Sequence, residues 1–247
     1  MRKIALLFLA LLFVGTAYGA DSSLFATANA KYQAGDFKGA AQLYRNILDA
    51  KGATAAVYYN LGNTMLRLGN KGQALVYYKR ALAITPRDGD VQWNLRVLKG
   101  ALPDRLEEAS FNFMRFWISK ALDFFTVDEI ALILLGCVGS LFLLSVLLCL
   151  SPAARSWAGS FQVLFIIGLI ASAVLLNLKW HQMKEPQVVV LDREVVTRNG
   201  PSSEESKAFL LHEGAEGKVI DESKDWYYIV LANKSTGWIP KESCEVV

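Results

Sequence analysis

Two runs of 21 uncharged residues, Ile130–Leu150 and Ala158–Leu178, constrain this 247-residue chain more than anything else in it. At ~1.5 Å per residue, a helix of that length spans roughly the 30 Å hydrocarbon core of a bilayer. Only the seven residues Ser151–Trp157 separate the runs, which predicts a transmembrane hairpin with a tight turn. Two crossings return a chain to the side it left, so the polar blocks before and after the hairpin should share one compartment. Arg155 in the turn, with Asp123, Asp128 and Glu129 ahead of the first run, agrees with the positive-inside rule. A composition that is 53% hydrophobic excludes a disordered chain, and a mean hydropathy of +0.27 points to a membrane protein.

The N-terminus suggests which compartment that is. Met1-Arg2-Lys3 is a short basic start, Ile4–Val14 is apolar, and Ala17 and Gly19 are small residues before a polar stretch. This is the pattern of a secretory signal peptide over residues 1–19, or of an uncleaved signal anchor. Either one exports the chain after Ala20 and leaves the turn around Arg155 in the cytoplasm. The exported blocks differ in charge. Residues 20–108 carry twelve basic and eight acidic side chains, and residues 179–247 carry nine basic and twelve acidic. With a total of only +3, the chain is no general nucleic-acid binder.

Within the spans, Gly136, Gly139 and Ser140 in the first and Gly168 and Ser172 in the second are small residues that would let the helices approach closely. Ahead of them, the segment over 109–127 is unusually aromatic. Phe113, Trp117, Ala121 and Phe124 fall near one helical face with Phe116 beside them. The spacing fits a helix lying in the headgroup layer, or one buried against the preceding domain.

The first polar block repeats at an offset of 34 residues. Gly35 pairs with Gly69, Ala40 with Ala74, Tyr44 with Tyr78, Leu48 with Leu82 and Asn29 with Asn63, while Asn60-Leu61 recurs as Asn94-Leu95. This period with these residue types resembles the tetratricopeptide repeat, a pair of antiparallel helices per unit. Repeats fall at about 21–54 and 55–88 in a domain over 20–108. The third unit has Arg96 where a small residue belongs, so 89–102 is expected to be a capping helix. Gly62 and Ala74 would mark a close helix crossing, and Gly69 a left-handed helix end. Two repeats and a cap are fewer than the roughly three units such arrays need. A partner, self-association or the aromatic segment would have to supply the missing burial. The resemblance also implies a concave groove lined by Asn29, Gln33, Tyr59, Asn63, Arg67 and Trp93. The alternative for these residues is an ordinary solvated helix face. Asn amides can hold an extended peptide backbone, and Arg67 a carboxylate.

After Leu178 the hydrophobic period changes to two. Short strands are predicted around Val188–Leu191, Val195–Val196, Ala208–Leu211, Lys218–Ile220, Trp226–Leu231 and Thr236–Ile239, with turns at Asn199-Gly200-Pro201 and His212-Glu213-Gly214. That spacing predicts a small β-barrel over 186–247. The order Gly200-Pro201, His212-Glu213-Gly214, Asp225-Trp226-Tyr227 and Gly237-Trp238-Ile239-Pro240 resembles the bacterial SH3 domain. The departure is Asn233-Lys234-Ser235, where that family usually has a glycine. The resemblance implies binding to peptides or cell-wall material. Tyr227 and Trp238 are candidates for an aromatic surface, with burial in the barrel core as the alternative for each.

The fold expected is therefore a multi-domain membrane protein: α-helical repeats, a two-span helical hairpin and a small all-β SH3-like barrel. No catalytic arrangement stands out. His181 follows Lys179 and Trp180 at the end of the second span, His212 lies in a turn, and Cys244 is a lone thiol. There is no paired-cysteine motif, phosphate-binding glycine loop or HExxH, so no enzyme, cofactor, metal site or nucleic-acid partner is expected. The order of parts, with Trp93-Asn94-Leu95 running on to Leu102-Pro103-Asp104 and the aromatic segment, resembles the aerotolerance (Bat-type) proteins of bacteria. That resemblance implies an inner-membrane, multi-pass scaffold with both domains in the periplasm. It also implies partners among von Willebrand factor A-domain membrane proteins and a MoxR-type ATPase system. The competing expectation is a peptidoglycan-binding SH3 protein that recruits a cell-wall enzyme through its repeats.

Overall fold

The computed structural model describes residues 22–50, 52–104, 113–151 and 155–247. The signal-peptide expectation for residues 1–19 lies outside the described residues, as do residues 109–112 of the aromatic segment and 152–154 of the turn.

Among the described residues, five helices build the repeat block: α1 (Ser22–Gln33), α2 (Phe37–Asp49), α3 (Ala55–Arg67), α4 (Lys71–Ile84) and α5 (Gly89–Gly100). Local chemistry starts most of them. The Asp36 carboxylate accepts from the Gly39 amide, the Thr54 hydroxyl from Val57, and the Asp88 carboxylate from Asp90 and Val91. Gly35 and Gly69 take φ of 79° and 85° between paired helices, a region that only glycine enters freely. At the crossing of α3 and α4, a Cβ on Gly62 would lie 2.7 Å from Cε1 of Tyr78. Ala28, Ala40, Tyr44, Leu61, Leu75 and Tyr78 are among the side chains that fill the core between the helices.

Beyond the repeats come α6 (Phe113–Phe124), α7 (Val127–Leu150) and α8 (Arg155–Lys184). A capping box starts α7: Thr126 accepts from the Glu129 amide, and the Glu129 carboxylate accepts from the Thr126 amide. Both α7 and α8 are long and apolar enough to cross a membrane. They run antiparallel, with Gly168 against Cys137 and the Gln162 amide donating to the Ser145 hydroxyl at 3.0 Å. The small residues divide differently from the expectation. Gly168 and the buried Ser172 fit close packing, whereas the space beside Gly136 and Gly139 is open. Those two glycines sit on faces of α7 turned away from α8. On α6 only Leu122 is buried, and Phe113, Met114, Phe116, Trp117 and Phe124 remain exposed.

Seven strands close the chain: β1 (Gln187–Val190), β2 (Glu194–Arg198), β3 (Lys207–His212), β4 (Glu216–Ser223), β5 (Trp226–Leu231), β6 (Thr236–Pro240) and, after a 3-10 turn at Lys241–Ser243, β7 (Cys244–Val246). All pair antiparallel in the order β3-β2-β6-β5-β4-β1-β7. Register shifts near Val196 and Val219 bend the sheet around a core of Val188, Val190, Val195, Leu211, Ile229, Leu231 and Ile239. In the β5–β6 hairpin, Lys234 takes the left-handed conformation expected of a glycine, at φ 70°. The Asn233 side chain accepts from the Ser235 amide and steadies the turn.

The barrel docks on the repeats, which no sequence period foretells. Val188 and Val190 face the barrel core, while Val189 between them is buried among the repeat residues, beside Leu191 and Val247. A strand covered on both faces reads as a continuous apolar run, which accounts for Val188-Val189-Val190. Gly72 of α4 lies so close that a Cβ there would meet the Val190 carbonyl oxygen at 2.6 Å, and one on Gly214 would meet Leu102 at 2.5 Å. Around this seam, Lys79 and Lys99 both reach Glu216, Arg80 pairs with Glu245, and Asp104 takes the His212 amide at 2.7 Å. The burial that two repeats lack comes from the chain's own barrel. The opposite net charges of the two blocks meet here.

Candidate peptide-binding groove

The first helices of the units, α1, α3 and α5, line a concave face whose polar floor repeats with the 34-residue period. The Tyr44 hydroxyl donates to Asn29 Oδ1 at 2.5 Å, and the Asn60 amide donates to the same oxygen at 3.0 Å. One unit on, Tyr78 donates to Asn63 Oδ1 at 2.6 Å and Asn94 at 3.1 Å. Each asparagine oxygen is thus saturated from within the fold. Among the described residues neither Asn29 nor Asn63 finds an acceptor for its Nδ2, so both amides are left as donors. Burial, only partly offset by the side-chain hydrogen bond, pushes the Tyr44 phenol up to about 12, and burial raises Tyr78 as well. Both therefore act as fixed donors at neutral pH.

Two adjoining hollows lie over this floor. One, of about 480 Å³, is lined by Tyr32, Asn63, Leu66, Arg67, Asn94 and Val97. The other, of about 300 Å³, is lined by Asn29, Tyr32, Gln33, Tyr44, Asn60 and Asn63. The Tyr32 phenol lies against the Arg67 guanidinium and helps hold it protonated. No carboxylate lines either hollow. The surface combines the Asn29 and Asn63 amide donors and the Arg67 guanidinium with the acceptor oxygens of Gln33, Asn60 and Asn94, beside apolar Leu66 and Val97. It suits an extended backbone, which needs donors and acceptors together, ending in or carrying a carboxylate.

Four of the six residues expected from the sequence, Asn29, Gln33, Asn63 and Arg67, line these hollows. Tyr59 and Trp93 do not. Tyr59 packs beside Tyr78, and its hydroxyl takes a bond from Asn94 at 3.1 Å, which makes it part of the seam between units. Trp93 is 61% exposed on α5, whereas Tyr59 and Phe25, one and two periods earlier, lean on Tyr78 and Tyr44. Sequence reasoning missed Tyr32, Tyr44, Asn60, Leu66, Asn94 and Val97 as lining residues. The recurrence of Asn60-Leu61 as Asn94-Leu95 was the signal that could have found two of them.

On the barrel, strand alternation separates the two candidate aromatics. Tyr227 pairs with Ile239 and packs on the barrel core, with the Lys241 amine 4.8 Å above its ring. Trp238 lies on the opposite face and stacks on Tyr228, ring centroids 5.0 Å apart. The outer aromatic pair is thus Tyr228 with Trp238. Cys244 is partly buried, and burial, reinforced by Asp192, pushes its thiol up to about 12. It stays protonated, the opposite of an activated nucleophile. Among the described residues no cluster of three His, Cys, Asp or Glu side chains could hold a metal.

Comparison with known families agrees with this geometry. Residues 35–87 match the family model of the tetratricopeptide repeat, and residues 192–244 that of the bacterial SH3 domain. The chain carries both domains. No curated protein matches it. The tetratricopeptide match begins at Gly35 and so omits α1, the helix that supplies Asn29, Tyr32 and Gln33 to the groove. The SH3 match stops at Cys244 and includes Glu213 and Glu216, both of which touch the repeats.

Proposed function

We propose that this protein is a non-enzymatic scaffold of the bacterial inner membrane whose repeat groove captures a segment of a partner protein in the cell envelope. The paired asparagine floor, with the free amides of Asn29 and Asn63 and Arg67 at its edge, carries this reading. In the proposed topology α7 and α8 cross the bilayer, both domains lie in the periplasm, and α6 rests its open aromatic face in the headgroup layer. Docking of the SH3 barrel on the repeats supports that topology, because it requires residues 71–104 and 187–247 to lie on one side. The order of parts further suggests an aerotolerance-type complex with von Willebrand factor A-domain membrane proteins and a MoxR-type ATPase system.

The test is capture of epitope-tagged A-domain membrane proteins from mild detergent. Gln33 and Arg67 hold no core contact, so Gln33→Ala with Arg67→Ala should leave the fold intact. Capture should fall about tenfold to a hundredfold, the worth of one charged hydrogen bond. Unchanged capture would sink the groove as the contact. A second reading, binding of peptidoglycan, is favoured by the stacked Tyr228–Trp238 pair. It predicts that the chain pellets with purified sacculi and that Trp238→Ala abolishes pelleting.

A further inference from the structure

Glu216, the first residue of β4, reaches two helices at once. Its Oε2 takes the Lys79 amine of α4 at 2.6 Å, and its Oε1 takes the Lys99 amine of α5 at 2.5 Å. Lys79 also donates to Gln187 of β1 at 2.8 Å. Burial would raise this carboxyl, but the two lysines outweigh it and hold it below the ordinary glutamate range. The ionised carboxylate is therefore a fixed bracket across the backs of α4 and α5.

Those two helices also bear on the groove, α4 from beneath its floor and α5 as part of its lining. Tyr78, the neighbour of Lys79 on α4, and Asn94 on α5 both donate to the one Asn63 oxygen. Asn94 and Val97 of α5 form one wall of the larger hollow. Beside the apolar packing of Val189, the other hydrogen bonds and ion pairs described across the seam each reach a single helix or the segment after α5. Glu213 takes the Gly72 amide, Arg80 pairs with Glu245, and Asp104 and Leu102 meet His212 and Gly214. Among the described residues Glu216 is the acidic group that pairs with both helices. α5 needs such a tie: Trp93 at 61% and Val97 at 55% exposure mark a flank on which, among the described residues, nothing packs closely.

We propose that Glu216 is a positioning residue for the groove: the SH3 barrel, acting through this carboxylate, sets the spacing of α4 and α5 and hence the wall that faces Arg67. The proposal rests on the concave face being the binding face. It gives the barrel a role that needs no ligand of its own. Binding in the groove and docking of the barrel then become coupled, because both bias the same pair of helices.

Hydrogen exchange on the full chain in detergent tests this without any ligand, so its outcome is independent of the capture experiment. In Glu216→Gln, amides of α5 over residues 91–100 should exchange about tenfold faster, while α1 and α2 keep their protection. Glu213→Gln, which loosens only the start of α4, should leave α5 unchanged. Reversing the charges, Glu216→Lys with Lys79→Glu and Lys99→Glu, should restore α5 protection. Two results would overturn the proposal: unchanged α5 exchange in Glu216→Gln, or an increase spread evenly over repeats and barrel. If the triple reversal does not fold, Glu216→Gln against Glu213→Gln still decides it.

Discussion

Gly62 shows how one missing carbon sets the repeat. The ring of Tyr78 occupies the space a Cβ would take, and from there its hydroxyl reaches Asn63 in the groove. Gly62→Ala should push that ring aside, weaken the bond to Asn63 and cost about 1–3 kcal/mol. For a domain of this size that is a fall of roughly 4–20 °C in melting temperature. Lys38→Ala, on an exposed part of α2, should be nearly neutral, and equal shifts at the two sites would refute the crossing. Lys71 is a poor control, because its amine lies 3.5 Å from the Ala101 carbonyl and it is half-buried beside the barrel. At this scale the sequence was most legible where a residue type has one explanation. Gly35 and Gly69 end helices, and Tyr44 and Tyr78 fill equivalent seams. It was least legible at Trp93, whose counterpart Tyr59 packs on an α4 tyrosine that α5 has no equivalent of among the described residues.

Periodicity revealed the elements because each buries one face, and it failed where an element buries two or where another domain supplies a contact. Six of the seven strands were visible as alternating or apolar runs. β7, three residues after a 3-10 turn, is too short to show a period. The start of α4 is the clearest case of supply from a distance. Asn70 stands at its cap position without a side-chain bond, and the Gly72 amide is instead taken by Glu213 of the SH3 barrel at 2.8 Å. A carboxylate at a helix N-terminus complements both the open amides and the helix dipole. Nothing in the local sequence of either segment announces a contact 141 residues apart. Glu213→Ala should therefore behave as a lost N-cap, costing about 1 kcal/mol. Faster amide exchange should be confined to the first turn of α4. A loss felt equally in β2 and β3 would mean that Glu213 serves the barrel instead.

For the whole molecule, the docked domains and the apolar hairpin impose one condition between them. The repeats precede α7 and the barrel follows α8, yet Val189 is buried in the repeat core and Glu216 bridges α4 and α5. Arg87 ties the repeats to the start of α7 through Glu129 and lies over the Phe124 ring, and Lys218 ties the barrel to the end of α8 through Glu185. Both ends of the hairpin are thus anchored to the same docked pair. If α7 and α8 cross a membrane, they must cross it as two spans, since a single crossing would tear the barrel from the repeats. Cysteines placed at Lys38 in the repeats, Glu222 in the barrel and Ala153 in the turn, in a chain whose Cys137, Cys149 and Cys244 are replaced by alanine, read this directly. An impermeant thiol reagent added to intact cells with a permeabilised outer membrane should label the first two sites alone. Ala153→Cys should react only after lysis. Labelling of Lys38→Cys without Glu222→Cys, or the reverse, would contradict the hairpin and the docked interface together. Labelling of all three would show that α7 and α8 lie outside the bilayer, leaving the docked pair intact and the membrane reading without support.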